Sequence, residues 1–258
     1  MQYGITTLSV VPVRLQPAHE AEQVTQLLFG EIYLVEEGNE KWLRIIAEYD
    51  GYAGWIHATQ NTFISEQQYN SYRKSEKTVA AELVQTISSG SKNFPVLLGS
   101  TLYDFDGMNC KLLKENFVYS GQAIKMNGEN KKAELIKKLA LKFLNAPYLW
   151  GGKTAFGVDC SGFTQTVFKA AGIILPRDAY QQAEKGKLLN FIYEAKDGDL
   201  LFFDNEEGKI THVGISINEG EIIHASGCVR IDPVDHHGIF NKELKKYTHT
   251  LRLIKRVL

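Results

Sequence analysis

The sequence predicts an α+β domain preceded by two small all-β barrels. Short strands separated by turn residues fill the first 62 residues, and the same style recurs up to about residue 127. Helical patterns followed by a run of strands begin only after Gly128. We therefore expect three domains, at residues 1–62, 63–128 and 129–258.

The two barrels are predicted from strand-like segments separated by Gly, Asn and Asp. The segments of the first barrel are Val10–Arg14, Ile32–Val35, Trp42–Ile46 and Gly54–Ile56. A polar connector at Glu66–Lys77 leads to the second set, which repeats the style more loosely. That set comprises Val84–Ile87, Val96–Leu98, Ser100–Tyr103 and Lys111–Leu113.

Two amphipathic helices open the third domain. Apolar residues fall on one helical face over Lys131–Leu144, where Asn130 is a capping residue and Pro147 forbids continuation. A second such pattern covers Ser161–Ala171 and ends at Gly172. The strand-like segments that follow are Asp199–Phe203, Thr211–Ile217, Glu221–Ala225 and Thr250–Ile254. Helices before antiparallel strands indicate an α+β domain.

Composition excludes several classes of function. The 258 residues are 44% apolar with a formal net charge of −1, so neither nucleic acid nor an anionic membrane is an expected partner. The sequence lacks an apolar run that could span a bilayer and does not begin with a secretory signal pattern. Three widely spaced cysteines suit a reducing compartment. We expect a cytoplasmic monomer, unless a signal has been trimmed.

Cys160 is the first candidate catalytic residue. It lies where a glycine-containing loop meets the start of the second helix. Free amides and the helix dipole at such a position favour a negative charge, which predicts a lowered thiol pKa and a stabilised oxyanion. The alternative is that Cys160 is a small buried residue of the helix.

Two histidines are candidate partners for the thiol. If the turn Asn218–Gly220 closes a hairpin, His224 faces Gly214, and His212 lies on the same face of the sheet as His224. Their Cα atoms would then be about 7–8 Å apart, close enough for one imidazole to orient the other. The alternative is two independent, hydrogen-bonded histidines.

A metal site is not predicted. Cys228, His236 and His237 accompany His224, yet neither a Cys-x-x-Cys nor a His-x-x-x-His spacing is present. We expect neither a metal ion nor another cofactor.

Four ordered motifs resemble those of the NlpC/P60 cysteine peptidases over residues 130–258. The motifs are Asp159–Phe163, Leu175–Asp178 followed by Gln181 and Gln182, Gly198–Phe203, and His212–Ile215 followed by His224 and Ala225. The resemblance implies a circularly permuted papain-like fold. It also implies Cys160 as nucleophile, His212 as general base and His224 as the residue that holds the base in its tautomer.

The complete architecture resembles a narrower group, the γ-D-glutamyl-L-diamino acid endopeptidases of the dipeptidyl-peptidase VI type. The segments Thr25–Glu31 and Gly51–Ile56 look like those of bacterial SH3-like domains. This resemblance implies a murein tripeptide or tetrapeptide substrate with a free N-terminal L-Ala, cut before lysine or diaminopimelate.

The same resemblance implies residues that bind the substrate amine. By motif these are Asp159 and Tyr148, with Glu31 and Tyr52 as candidates from the first barrel. A buried ammonium group needs such a carboxylate partner. Asp159 alternatively caps the helix, and Ser161 either caps it or contacts the substrate's γ-glutamyl carboxylate.

Other readings stay open at this point. Arg177 could form an ordinary ion pair with Asp178. The whole chain could be a wall-binding protein, or an amidase or acyltransferase of the same fold.

Overall fold

The computed structural model describes residues 1–90, 92–127 and 132–258. Within residues 1–64, seven strands form one antiparallel sheet in the order β3-β2-β6-β5-β4-β1-β7. The strands are β1 Gln2–Ile5, β2 Val10–Arg14, β3 Gln23–Leu28, β4 Ile32–Gly38, β5 Trp42–Ala47, β6 Ala53–His57 and β7 Thr62–Ile64. Because Ile64 pairs with Tyr3, this sheet extends past the expected domain boundary at residue 62.

The second module begins with a capped helix. In α1, Glu66–Lys74, the Ser65 hydroxyl accepts from the Gln68 N–H and the Gln68 side chain accepts from the Ser65 N–H. The strands are β8 Thr78–Ala80, β9 Val84–Ser89, β10 Lys92–Leu97, β11 Thr101–Leu102, β12 Asn109–Leu112, β13 Glu115–Tyr119 and β14 Ala123–Lys125. Among the described residues they form two small sheets, β10-β9-β13-β12 and β11-β8-β14.

The third module places helices against an antiparallel sheet, as the sequence predicts. Its helices are α2 Lys132–Lys142, α3 Cys160–Ala170 and α4 Ala179–Gln182. Its strands are β15 Lys153–Thr154, β16 Gly157–Val158, β17 Lys187–Leu189, β18 Leu200–Asp204, β19 Ile210–Ser216, β20 Glu221–Ser226, β21 Cys228–Pro233, β22 Gly238–Asn241 and β23 Lys246–Arg256. Asn130 and Lys131, the predicted cap and first residue of the first helix, lie outside the described residues.

Helix α3 is the centre of this module. Each of its residues is buried, and it packs against α2 on one side and against β19 and β20 on the other. The sheet runs in the order β17-β23-β18-β19-β20-β21, with β22 paired to β23. The start of α3 is therefore held against the middle of the sheet.

The three modules share their hydrophobic cores. Ile5 and Phe29 of the first barrel belong to one buried cluster with Val96 and Leu102 of the second module. A further cluster joins Val79, Ala81 and Leu98 of the second module to α2, α3 and the sheet. Since apolar burial is the main source of stability, the modules depend on one another.

A buried ion-pair cluster also joins the first barrel to α3. The Lys169 ammonium lies 2.5 Å from a Glu31 carboxylate oxygen, and the Lys153 ammonium lies 3.8 Å from it. Burial alone would raise the pKa of Glu31, but the positive charges of both lysines lower it. The carboxylate is therefore ionised and is the counter-charge shared by two buried lysines.

We predict that Glu31→Gln lowers the free energy of unfolding by about 3 kcal/mol, because both lysines would keep a buried charge without a partner. Urea denaturation measures the change. Glu37→Gln, an exposed substitution in the same barrel, is the matched control and should stay within about 0.5 kcal/mol of the parent. Equal unfolding energies for the two variants would contradict the prediction.

Candidate active site

Asp159 fixes the start of α3. As the N-cap residue it accepts a hydrogen bond from the Gly162 N–H at 2.6 Å, and its second oxygen accepts from the Gly151 N–H at 2.8 Å. The carboxylate thus ties the Gly151 loop to the first turn of the helix. Cys160, the next residue, is held at the first position of α3.

The Cys160 thiol lies against β19. Its Sγ is 4.0 Å from the carbonyl oxygen of Thr211, the residue before His212. Burial raises the pKa of the thiol to about 12, and the negative charge of Asp159 adds to the rise. This is opposite to the direction predicted from the helix dipole, because desolvation outweighs the favourable amides. The thiol is therefore protonated at neutral pH until a base takes its proton.

The hairpin register predicted for the two histidines is confirmed. Gly214 on β19 pairs with His224 on β20, so His212 and His224 lie on the same face of the sheet as diagonal neighbours. His212 Nε2 lies 2.9 Å from His224 Nδ1. Both imidazoles are buried, at 6% and 1% exposure, so each is held in place by its neighbours.

A third imidazole lies over the base. His249 on β23 is stacked on His212, with ring centroids 4.2 Å apart. Burial and the imidazoles of His224 and His249 lower the pKa of His212 well below its ordinary value. Burial likewise lowers the pKa of His249 to about 4. His212 is therefore neutral at physiological pH and able to accept a proton.

Arg177 has a larger role than the sequence indicated. Its guanidinium is buried and binds both oxygens of Asp159, at 3.1 and 2.6 Å, and the Ser161 hydroxyl at 2.9 Å. It also donates to the Thr25 hydroxyl of the first barrel. Asp159 and Ser161, both predicted to bind substrate, are thus already engaged within the protein.

The structure does not bring Glu31 to the nucleophile. Its partner Lys169 is in the last turn of α3, whereas Cys160 is the first residue of that helix. At the rise of an α-helix, nine residues separate them by about 13 Å. The barrel segment that carries Glu31 packs on the distal end of α3, a relation that motif spacing does not reveal.

The two tyrosines predicted to bind substrate lie around the Asp159–Arg177 ion pair. Tyr148 is 36% exposed, and the charges of Cys160 and Asp159 act on its hydroxyl. Burial raises the pKa of Tyr148 to about 12, with those charges adding to the rise. Tyr52 donates to the Asp178 carboxylate at 3.3 Å, so the first barrel reaches the same region.

Asp178 and Asp232 belong to the site but were not predicted as site residues. Asp178 follows Arg177 in one of the recognised motifs, and burial raises the pKa of its half-buried carboxyl. Asp232 on β21 accepts from His224 Nε2 at 3.0 Å and forms an ion pair with Arg230. The sequence feature that could have indicated Asp232 is the tight Ser226–Cys228 turn, which places β21 beside β20.

Comparison with known proteins identifies the family of the chain. A family model described as "NlpC/P60 family" matches residues 145–249, and one described as "Bacterial dipeptidyl-peptidase Sh3 domain" matches residues 13–60. A γ-D-glutamyl-L-lysine dipeptidyl-peptidase of Bacillus subtilis is 34% identical over 222 residues, covering 78% of this chain and 71% of that protein. The chain belongs to the NlpC/P60 family. It is a peptidase that carries SH3-like domain sequence ahead of its catalytic domain.

Two further relatives span almost the full chain. Dipeptidyl-peptidase 6 of Lysinibacillus sphaericus is 25% identical, covering 89% of this chain and 91% of that protein. A solved NlpC/P60 family protein from Bacillus cereus superposes with a TM-score of 0.82 at 21% identity, covering 99% of both chains. This likeness confirms the predicted fold class of the NlpC/P60 peptidase with its N-terminal SH3-like region.

Two negative observations apply to the described parts of the chain. Within residues 1–90, 92–127 and 132–258, no group of three or more His, Cys, Asp or Glu side chains is arranged to hold a metal ion. No helix in those same ranges combines the length and apolar character needed to cross a bilayer.

We predict that His212→Gln slows alkylation of Cys160 by iodoacetamide at pH 7 about a hundredfold, because the thiol loses the base that takes its proton. Peptide mass mapping over time measures the rate. Cys110 is an internal control, since burial also raises the pKa of that thiol to about 12 and no catalytic histidine is assigned to it. An unchanged Cys160 rate in the variant would exclude His212 as its base.

Proposed function

We propose that this peptidase hydrolyses the bond between the γ-D-glutamyl residue and the L-diamino acid of murein peptides whose N-terminal L-Ala is free. The name of the Bacillus subtilis relative, γ-D-glutamyl-L-lysine dipeptidyl-peptidase, specifies the γ-D-glutamyl-L-lysine linkage. The observation that supports the proposal in this chain is the Asp178 carboxylate with its Tyr52 partner, beside the Asp159–Arg177 ion pair that holds the start of α3.

Asp178 has the character of a site for a cation. Burial raises the pKa of its carboxyl, and the adjacent Arg177 charge is already bound in two hydrogen bonds to Asp159. A substrate ammonium group would supply the missing positive charge. The neutral, apolar acyl chain of a lipid would gain nothing from this carboxylate, which favours the peptidase over an acyltransferase.

The proposed chemistry follows from the positions of the side chains. His212 takes the Cys160 proton, and the sulfur attacks the γ-carbonyl carbon of D-Glu to form a tetrahedral oxyanion. The Cys160 N–H is the candidate donor to that oxyanion. His212 then protonates the leaving amine, and a water that it activates hydrolyses the thioester.

We further propose that the enzyme acts in the cytoplasm, on peptides released from the wall. The support is chemical: all three cysteines are free, which fits a reducing compartment.

We predict that the protein releases lysine from L-Ala-γ-D-Glu-L-Lys and leaves its N-acetylated twin intact, because acetylation removes the charge that Asp178 would bind. Mass spectrometry of timed incubations measures both reactions, and Cys160→Ala is the inactive control. Cleavage of both peptides would remove the amine requirement. Cleavage of neither, together with sedimentation of the protein on purified murein, would favour a wall-binding protein.

We predict that Asp178→Asn raises KM for the free tripeptide about tenfold to a hundredfold with little change in kcat, because a charge-assisted bond to the substrate is lost. Tyr52→Phe should raise KM less, since the carboxylate charge remains. Glu219→Gln removes one exposed negative charge from the hairpin turn and serves as the control. If Asp178→Asn matched that control, the amine site would lie elsewhere.

A further inference from the structure

Beyond the nucleophile and base, a buried row of hydrogen bonds crosses three neighbouring strands. His212 on β19 meets His224 on β20 at 2.9 Å, and His224 Nε2 meets Asp232 on β21 at 3.0 Å. Asp232 is 3% exposed, so water competes little for its oxygens. The row ends at Arg230, whose Nε and Nη2 donate to the two Asp232 oxygens at 2.7 and 3.0 Å.

The position of each proton in this row follows from the last member. Burial would raise the pKa of Asp232, but hydrogen bonds from His224 and Arg230 lower it, so the group is a carboxylate and accepts only. His224 must therefore carry its proton on Nε2. In its neutral form the His224 imidazole has one N–H, so Nδ1 then holds a lone pair and accepts from His212 Nε2.

This order leaves His212 with a lone pair on Nδ1, the one ring nitrogen that could take the Cys160 proton. After that transfer His212 is an imidazolium, and its Nε2–H still donates to His224. The opposite tautomer of His224 would place a donor against His212 Nε2 and a proton on the nitrogen that must act as base.

We propose that Asp232 is a positioning residue that fixes the tautomer of His224 and, through it, directs the lone pair of His212 toward Cys160. The proposal rests on the peptidase chemistry of the site and not on which peptide is cut. A merely structural Arg230–Asp232 ion pair would stabilise β21 without selecting a tautomer. The two roles therefore differ in a measurable property.

The test uses Asp232→Asn in the full chain. An amide is a weaker acceptor than the carboxylate and presents an N–H₂ in one orientation, so both His224 tautomers become populated. Long-range ¹⁵N–¹H correlation spectra report the tautomer, which should be Nε2–H alone in the parent protein. We expect kcat for peptide cleavage to fall about tenfold to a hundredfold, the loss that is typical when a group orienting a metal-binding histidine is removed. KM should be nearly unchanged.

Glu243→Gln is the matched control. Glu243 is also an acid beside Arg230, at 3.5 Å, and its side chain is exposed. Its loss should change neither the tautomer nor kcat. Other titratable or charged groups lie beside this row and are unchanged in both variants: His249 on β23, Arg230 on β21, and Cys160 on α3, whose Sγ is near the Thr211 carbonyl oxygen of β19. The pH profile of kcat should therefore move only in the Asp232 variant.

A parent protein whose His224 carries its proton on Nδ1 would overturn the proposal, whether or not the variant folds. So would a folded Asp232→Asn protein with reduced kcat and an unchanged tautomer, because the role would then be structural. Iodoacetamide labelling of Cys160 provides a readout without substrate. Labelling that depends on Asp232 in a protein that cleaves no murein peptide would refute the proposed substrate and leave the proton row intact.

Discussion

The buried ion pair between Asp159 and Arg177 is the interaction on which the rest of the site depends. Removing both charges from water is costly, and the cost is offset because nearly every lone pair and N–H of the pair finds a partner. One carboxylate thereby caps α3, holds the Gly151 loop and binds the guanidinium. These hydrogen bonds fix the start of α3, and Cys160 is the first residue of that helix.

The same pair determines the electrostatics around it. Since Arg177 is committed to Asp159, the neighbouring Asp178 is left half-buried, with the hydroxyls of Tyr52 and Tyr180 as hydrogen-bond partners. The nucleophile in turn feels the Asp159 charge and holds its proton more tightly. The Asp159 carboxylate therefore both stabilises the start of α3 and helps to raise the pKa of the Cys160 thiol.

Local periodicity explains what the sequence could predict. The period of two along a strand and the Asn218–Gly220 turn placed His212 and His224 on one face, and the hairpin register confirms it. The same reasoning through the Ser226–Cys228 turn would have placed Asp232 on the neighbouring strand, so that omission was avoidable.

Other features depend on packing that no local pattern encodes. Glu31 was assigned to the site by its position in a barrel motif, but which end of α3 the barrel covers is decided by the shared cores. The direction of the thiol pKa shift was likewise wrong, because the depth of burial of Cys160 cannot be read from its neighbours in sequence. Likewise, Arg177 looked like a surface ion pair until its burial was known.

The first barrel contributes Thr25, Glu31 and Tyr52, and each meets its partner on the catalytic domain. This barrel is therefore not an independent, exchangeable module, because its buried polar groups are matched to Arg177, Lys169 and Asp178. Exchange of the barrel between relatives would leave buried charges without partners in both the barrel and the catalytic domain. Over evolutionary time the two domains are therefore constrained to diverge together.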